Sequence, residues 1–184
     1  MMYSIYKWLL LIFLVTGSVR ASEVADQPQT LTAYQQNWQQ CNHHLVRKGI
    51  FFKIADIDWF SKQCNEHQDI LTTTPVLLRF TYMRDIKREF FIDSATEYFL
   101  RNLNEPKVQQ GESIITAFNQ SYQDVTEGDV YDLLIDTNGT LKLFKNKQLL
   151  NSTQQPLIRN NYFKIWFGQD PVLPDLKDAF KPSI

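Results

Sequence analysis

Cysteine, histidine, carboxylate and arginine are the side chains with which this chain could do chemistry, and they are few and clustered. Cys41-Asn42-His43-His44 and Cys64-Asn65-Glu66-His67 repeat a Cys-x2-His spacing that takes up both Cys and all three His of the chain. Two such thiols can join as a disulfide, stand as separate thiols, or hold zinc together with the imidazoles. Asp56 and Asp58 sit two apart, the spacing that sets both carboxylates on one side of a strand, where a pair can share acid and base work. They have no basic neighbour in the sequence and read as solvated. Arg47, Arg79 and Arg84 each carry a planar fork of donors suited to a carboxylate. Arg84-Asp85 reads as a helix-end cap, with Asp85 accepting from the first amides of the next helix. The chain has no Gly-x-Ser-x-Gly, no Gly-rich phosphate loop and no His-Glu-x-x-His. A site must therefore come from arginines, tyrosines and a pocket; no catalytic residue, metal or cofactor is assigned.

The elements that position these groups follow from periodicity. Ile50 to Phe60 is strand-like, with Phe51, Ala55, Ile57 and Trp59 on one side and Ile50, Phe52, Ile54, Asp56 and Asp58 on the other. Val76, Leu78, Phe80 and Tyr82 alternate cleanly with Leu77, Arg79, Thr81 and Met83, so a second strand is predicted and Arg79 faces either solvent or a cleft. Lys87 to Leu103 and Glu112 to Gln123 carry helical spacing. Val130 to Ile135 and Thr140 to Phe144 are strands joined at Asn138-Gly139, and Asn146-Lys147 turns into a third. Pro156 precedes a last helical stretch in which Gly168 is placed to close a helix at Trp166-Phe167 in the left-handed conformation. Pro174 opens the next helix with Asp175 at its positive end. Trp166 and Phe167 read as anchors docking that ending on the core. Strands, helices, a meander and helices again make an α+β domain.

At the N-terminus, Lys7 precedes an apolar run from Trp8 to Val15, and Val19-Arg20-Ala21 fits the small-residue cleavage rule. Residues 1–21 are expected to be a secretory signal, residues 22–40 a loosely ordered polar leader, and residues 41–184 the domain. The apolar run is shorter than the roughly 20 residues that a spanning helix needs, so no membrane span remains after signal removal. Without Lys7 and Arg20 the chain keeps 17 basic against 20 acidic residues. That balance gives no sign of the clustered positive surface that nucleic acid or anionic lipid demands. Export places Cys41 and Cys64 in an oxidising compartment, which favours their pairing. The chain also carries 13 Phe, 8 Tyr and 4 Trp, enough rings to fill a core or to line a cavity.

Three segments, in order, carry a family likeness: Leu77-Leu78-Arg79-Phe80-Thr81-Tyr82-Met83-Arg84-Asp85-Ile86, Phe118-Asn119-Gln120-Ser121-Tyr122-Gln123-Asp124-Val125-Thr126-Glu127-Gly128-Asp129, and the ending from Phe163 through Pro171 to Phe180. Together they resemble the bacterial, exported chalcone-isomerase-like family, over roughly Asn42 to Phe180. The resemblance implies an open-faced sandwich: one large, mainly antiparallel sheet, a helical layer on one side, and a ligand cleft between. It also implies a periplasmic or secreted location. In the isomerases an Arg before the strand matching Ile50 to Phe60 holds a phenolate-like oxygen, a Thr in that strand polarises the ketone, and a Tyr and an Asn act from the first helix. In fatty-acid-binding relatives an Arg and a Tyr at the first two places hold the carboxylate. Arg47 matches the Arg, whereas the hydroxyl position falls at Ala55 and the helix offers Phe90 or Phe91 with Glu97 or Tyr98. Flavonoid ring closure is therefore not expected. The expected ligand is a small apolar or amphipathic molecule such as a fatty acid, met by Arg47, Arg79 and Tyr82. The alternatives are an intramolecular lyase or isomerase on a phenolic or enone substrate, and a structural or partner-binding envelope protein with a filled core.

Overall fold

The structure, a computed structural model, describes residues 30–182, so the expected signal over residues 1–21 and the start of the leader lie outside the described residues. Seven strands, β1 (Thr30–Ala33), β2 (Gln36–Lys48), β3 (Phe52–Ser61), β4 (Val76–Tyr82), β5 (Val130–Ile135), β6 (Leu141–Lys145) and β7 (Gln148–Thr153), pair in chain order as one sheet. Every neighbouring pair is antiparallel. Helices α1 (Arg88–Arg101) and α2 (Glu105–Asn119) are inserted between β4 and β5, and α3 (Pro156–Arg159), α4 (Lys164–Phe167) and α5 (Pro174–Ala179) follow β7. This is the α+β open-faced sandwich that the resemblance implied. Among the described residues no helix is long and apolar enough to cross a membrane.

The main core lies between sheet and helices. Ala55, Ile57 and Trp59 of β3, Val76, Leu78, Phe80 and Tyr82 of β4, and Leu133 and Tyr131 of β5 face Ala95 and Phe99 of α1 and Ile115 and Phe118 of α2. Period-two and near-four spacings thus converge on one layer, and each fully buried large aliphatic side chain there contributes about 1.5–3 kcal/mol. α2 starts seven residues before the predicted Glu112, with Pro106 in its first turn. Gly111 inside it is buried where a Cβ would crowd Leu103.

Residues 30–40 are not a loose leader. They form β1 and the start of β2 around Tyr34 and Gln35, which hold φ of 53° and 60° in a tight turn containing neither Asn nor Gly. The pattern is hard to read because β2 buries only Trp38 and its pairing with β3 slips between Gln40 and Asn42 and again between Val46 and Arg47. Trp38, Ala33, Phe60, Leu77, Leu134 and Phe144 make a second apolar cluster. The sheet curls enough to bring the Tyr34 ring within 4.1 Å of Phe144 on β6. Cys41 and Cys64 are joined by a disulfide with Cα atoms 5.2 Å apart, tying β2 to the segment after β3.

Two end signals resolve differently from expectation. Asp85 does not cap α1: the bridge between Ile86 and Val125 brings Asp124 alongside, and Asp124 accepts from the Arg88 amide at 2.9 Å and from Lys87 Nζ at 2.6 Å. Asp85 instead accepts from the Glu127 amide at 3.3 Å. Gly168 has φ −74° and ψ −165°, extended rather than left-handed. It is required for space, because a Cβ there would collide with Asn102 Oδ1 and the Lys164 carbonyl. Asn102 in turn binds both the amide and the carbonyl of Asp170, pinning the corner between α4 and α5 to the end of α1.

Candidate functional site

The layer between sheet and helices is not completely filled: a cavity of about 450 Å³ remains at its β2–β3 end. Its floor comes from alternate residues of neighbouring strands, Ala55 and Ile57 of β3, Phe80 and Tyr82 of β4, Tyr131 and Leu133 of β5, and Leu143 of β6. Its roof is Phe91, Ser94 and Ala95 of α1, with Ile165 and Trp166 of α4 and Val172 and Leu173 at the far wall. Ala55 is paired across the strands with Tyr82. The methyl group leaves room that a larger side chain in mid-strand would occupy, so the residue that lacks the expected hydroxyl also helps to keep the cavity open.

Rings make the walls stiff. Phe91 lies 5.4 Å from Tyr82, 5.6 Å from Tyr122 and 5.6 Å from Tyr131, and Phe80 lies 5.2 Å from Trp166. Trp166 therefore both docks α4, as expected, and forms a cavity wall. Tyr122 shares a hydrogen bond of 2.9 Å with Tyr162, whose hydroxyl also reaches Asn119 Oδ1 at 2.9 Å. Tyr131 accepts from the Gln123 amide and donates to its carbonyl. Burial pushes the Tyr82 and Tyr122 phenols well up and the Tyr131 phenol to about 12. All three stay protonated at neutral pH, and among the described residues the Tyr82 hydroxyl alone of the three makes no hydrogen bond. It is a donor without an assigned acceptor.

The charged groups of the lining are Arg47, Lys48 and Arg84, all exposed at the mouth. None is within ion-pair distance of a carboxylate among the described residues, and the lining contains no Asp, Glu, His or Cys. An apolar interior with a cationic rim can hold an anionic head and an apolar tail. It offers no carboxylate, imidazole or thiol to move a proton or attack a carbonyl.

The residues expected to meet a ligand are thus divided. Arg47 and Tyr82 come to the cavity. Arg79 does not: it lies on the opposite face of the sheet, where its Nε and Nη2 bind Asp132 Oδ1 and Oδ2 at 2.8 and 2.7 Å. Tyr34 donates to the same carboxylate at 2.6 Å. Burial alone would lower the Arg79 pKa, but the hydrogen bonds and charge of Asp132 outweigh it and leave it raised. Of the helix positions matching the isomerase Tyr and Asn, Phe90 and Phe91 line the cavity. Glu97 is paired with Arg101 at 2.5 Å, and Tyr98 lies under that same guanidinium, neither of them in the lining. Asp56 and Asp58 have a basic neighbour after all, His43, whose Nδ1 is 2.8 Å from Asp58 across the β2–β3 pairing. The Cys-x2-His tetrads make no joint site: their thiols are bonded to each other, and His43 serves the carboxylates. Lys48, Arg84 and Phe90 were missed as rim residues; the Arg47-Lys48 pair beside an apolar run was the available signal.

A family model described as chalcone isomerase-like matches residues 23–180. Among solved structures, the crystal structure of an Arabidopsis thaliana fatty-acid binding protein matches with a TM-score of 0.53 and 10% identity, over 83% of this chain and 95% of that one. Among curated protein sequences none matches significantly. The structural likeness is one of fold, and the family match spans most of the sequence with the cavity's lining inside it. The chain belongs to the chalcone isomerase-like family.

Proposed function

We propose that this protein is a non-catalytic carrier of an anionic amphiphile such as a fatty acid, with the carboxylate at Arg47 and the tail in the cavity. The observation that carries the reading is the charge pattern of the lining, cations at the mouth and nothing acidic, around an apolar volume of about 450 Å³, inside the ~300–1,000 Å³ range of small-molecule sites. The fatty-acid binding neighbour supports it through fold alone. Tyr82 is the donor inside, Lys48 and Arg84 add charge at the rim, and the Arg79 position drops out of the site. The disulfide, taken with the secretory signal expected over residues 1–21, supports release into an oxidising compartment, the periplasm or the exterior.

A charge-assisted Arg–carboxylate contact is typically worth about 1.5–3 kcal/mol. Titration of a fluorescent fatty acid should therefore show Arg47→Ala weakening binding roughly 10- to 100-fold with an unchanged circular dichroism spectrum. Equal affinities would remove Arg47 from the site, and no binding by either protein would refute the carrier reading.

A further inference from the structure

The turn between β2 and β3 presents its apolar residues to solvent. Ile50 is 81% exposed, Phe51 85% and Phe52 58%, and Phe90 on α1 is 61% exposed, against 50% for Leu149, the next largest such group. Single exposed apolar side chains are ordinary, but three in succession at a hairpin tip, with a fourth at the same cavity mouth, are not. Cations surround them. Arg47 and Lys48 precede the tip, Lys53 follows it, and the Arg84 guanidinium lies 5.6 Å from the Phe52 ring.

Among the described residues none of these four cations forms an ion pair, so each guanidinium and ammonium is free to meet an external anion. Asp85, beside Arg84, is turned to the Glu127 amide. Exposed apolar side chains ringed by unpaired cations, with long stems that can lie along apolar surface, match the boundary between anionic headgroups and acyl chains. The overall acidic balance of the chain conceals this local run of cations.

We infer that this face docks on an anionic lipid surface, with Ile50, Phe51 and Phe52 entering the interface and Arg47, Lys48, Lys53 and Arg84 meeting the headgroups. Lys48 and Arg84 line both the cavity mouth and the recess under the tip, so docking sets the mouth against the bilayer. The docking stands on the tip and its cations. Only passage of an amphiphile through the mouth rests on the carrier reading.

The test is flotation of the purified chain with vesicles of phosphatidylcholine alone and with about one third phosphatidylglycerol, at low and high salt. All variants share one N-terminus, so differences between them report the tip. Wild type should float with the anionic vesicles, less at high salt and less with the neutral ones. Ile50→Ser with Phe51→Ser should lose about tenfold or more in partitioning, since it removes most of the inserted area, and Lys53→Glu should lose several-fold at low salt. None of these residues lines the cavity, so fatty-acid affinity in vesicle-free solution should stay unchanged. Failure of wild type to float, or equal flotation of the serine double variant, overturns the proposal. A wild-type dimer that the double variant turns into monomer, with no vesicle binding, would overturn it in favour of a protein interface. Loss of fatty-acid binding in solution by wild type would count against the carrier reading and leave the docking result standing.

Discussion

Ala55 and Arg79 show most clearly how single residues set what the site can do. Ala55 is 3% exposed and lines the cavity opposite Tyr82. Adding a hydroxyl there as Ala55→Tyr looks like restoration from sequence alone; in the structure it fills the space a tail would use. Ala55→Phe should abolish fatty-acid binding while costing no more than the ~1–3 kcal/mol of an overpacked core, measured by titration beside chemical denaturation. Retained binding would place the ligand elsewhere. Arg79 behaves oppositely. Its partner Asp132 is 1% exposed, so Arg79→Ala strands a buried charge and should destabilise by about 3–5 kcal/mol without altering fatty-acid affinity. A change in affinity at unchanged stability would return Arg79 to the site. Strand alternation placed Arg79 correctly, opposite Val76, Leu78, Phe80 and Tyr82. It could not show that this opposite face is covered, because the covering strand β1 and the turn at Tyr34-Gln35 carry none of the usual signals.

At the scale of elements, the strands and turns whose cores obey one period were legible. β4, the β5–β6 hairpin and the turn at Asn146-Lys147 were all expected, and the last holds φ of 49° and 70° as its residues foretold. Asn146 does more than turn the chain. Its Nδ2 donates to Asp129 Oδ1 at 2.7 Å and its Oδ1 accepts from the Val130 amide at 2.8 Å, fastening the β6–β7 turn to the start of β5. The Asn146 hydrogen bond is the leading cause that holds the Asp129 carboxyl well below the ordinary carboxylate range, followed by the Thr126 amide. A lowered folded-state pKa stabilises above the unfolded value near 4 and is lost as pH falls through the folded one. Asn146→Ala should therefore cost about 1–2 kcal/mol at pH 7, by denaturant titration, and should raise the folded Asp129 pKa toward the ordinary carboxylate range, by NMR titration of the carboxyl. An unchanged Asp129 titration in the variant would separate Asn146 from Asp129. What remained illegible at this scale depended on contacts distant in sequence: Asp124 rather than Asp85 at the start of α1, and His43 beside Asp58.

For the whole molecule, a sheet curled on one side and roofed by helices on the other leaves its unfilled volume at the β2–β3 end. The same end carries the cations and the exposed apolar tip. The disulfide between Cys41 and Cys64 closes a stretch of 23 residues across β3, and a loop of that size restricts the unfolded chain by roughly 3 kcal/mol in the entropy model. Sequence reading reached the layers and the presence of a cleft through the family likeness. It could not separate a cavity from a filled core, since a chain rich in aromatic residues serves either, and only the placement of Ala55, Ser94 and Ala95 between the rings leaves the gap. Whether this gap holds an anionic amphiphile is decided by native mass spectrometry of the protein purified without added lipid. An adduct is expected that negative-ion analysis of the denatured sample identifies as a carboxylate-bearing amphiphile, absent from Ala55→Phe prepared in parallel. An unliganded mass for wild type that excess fatty acid does not change, or an adduct equally present in Ala55→Phe, would contradict it.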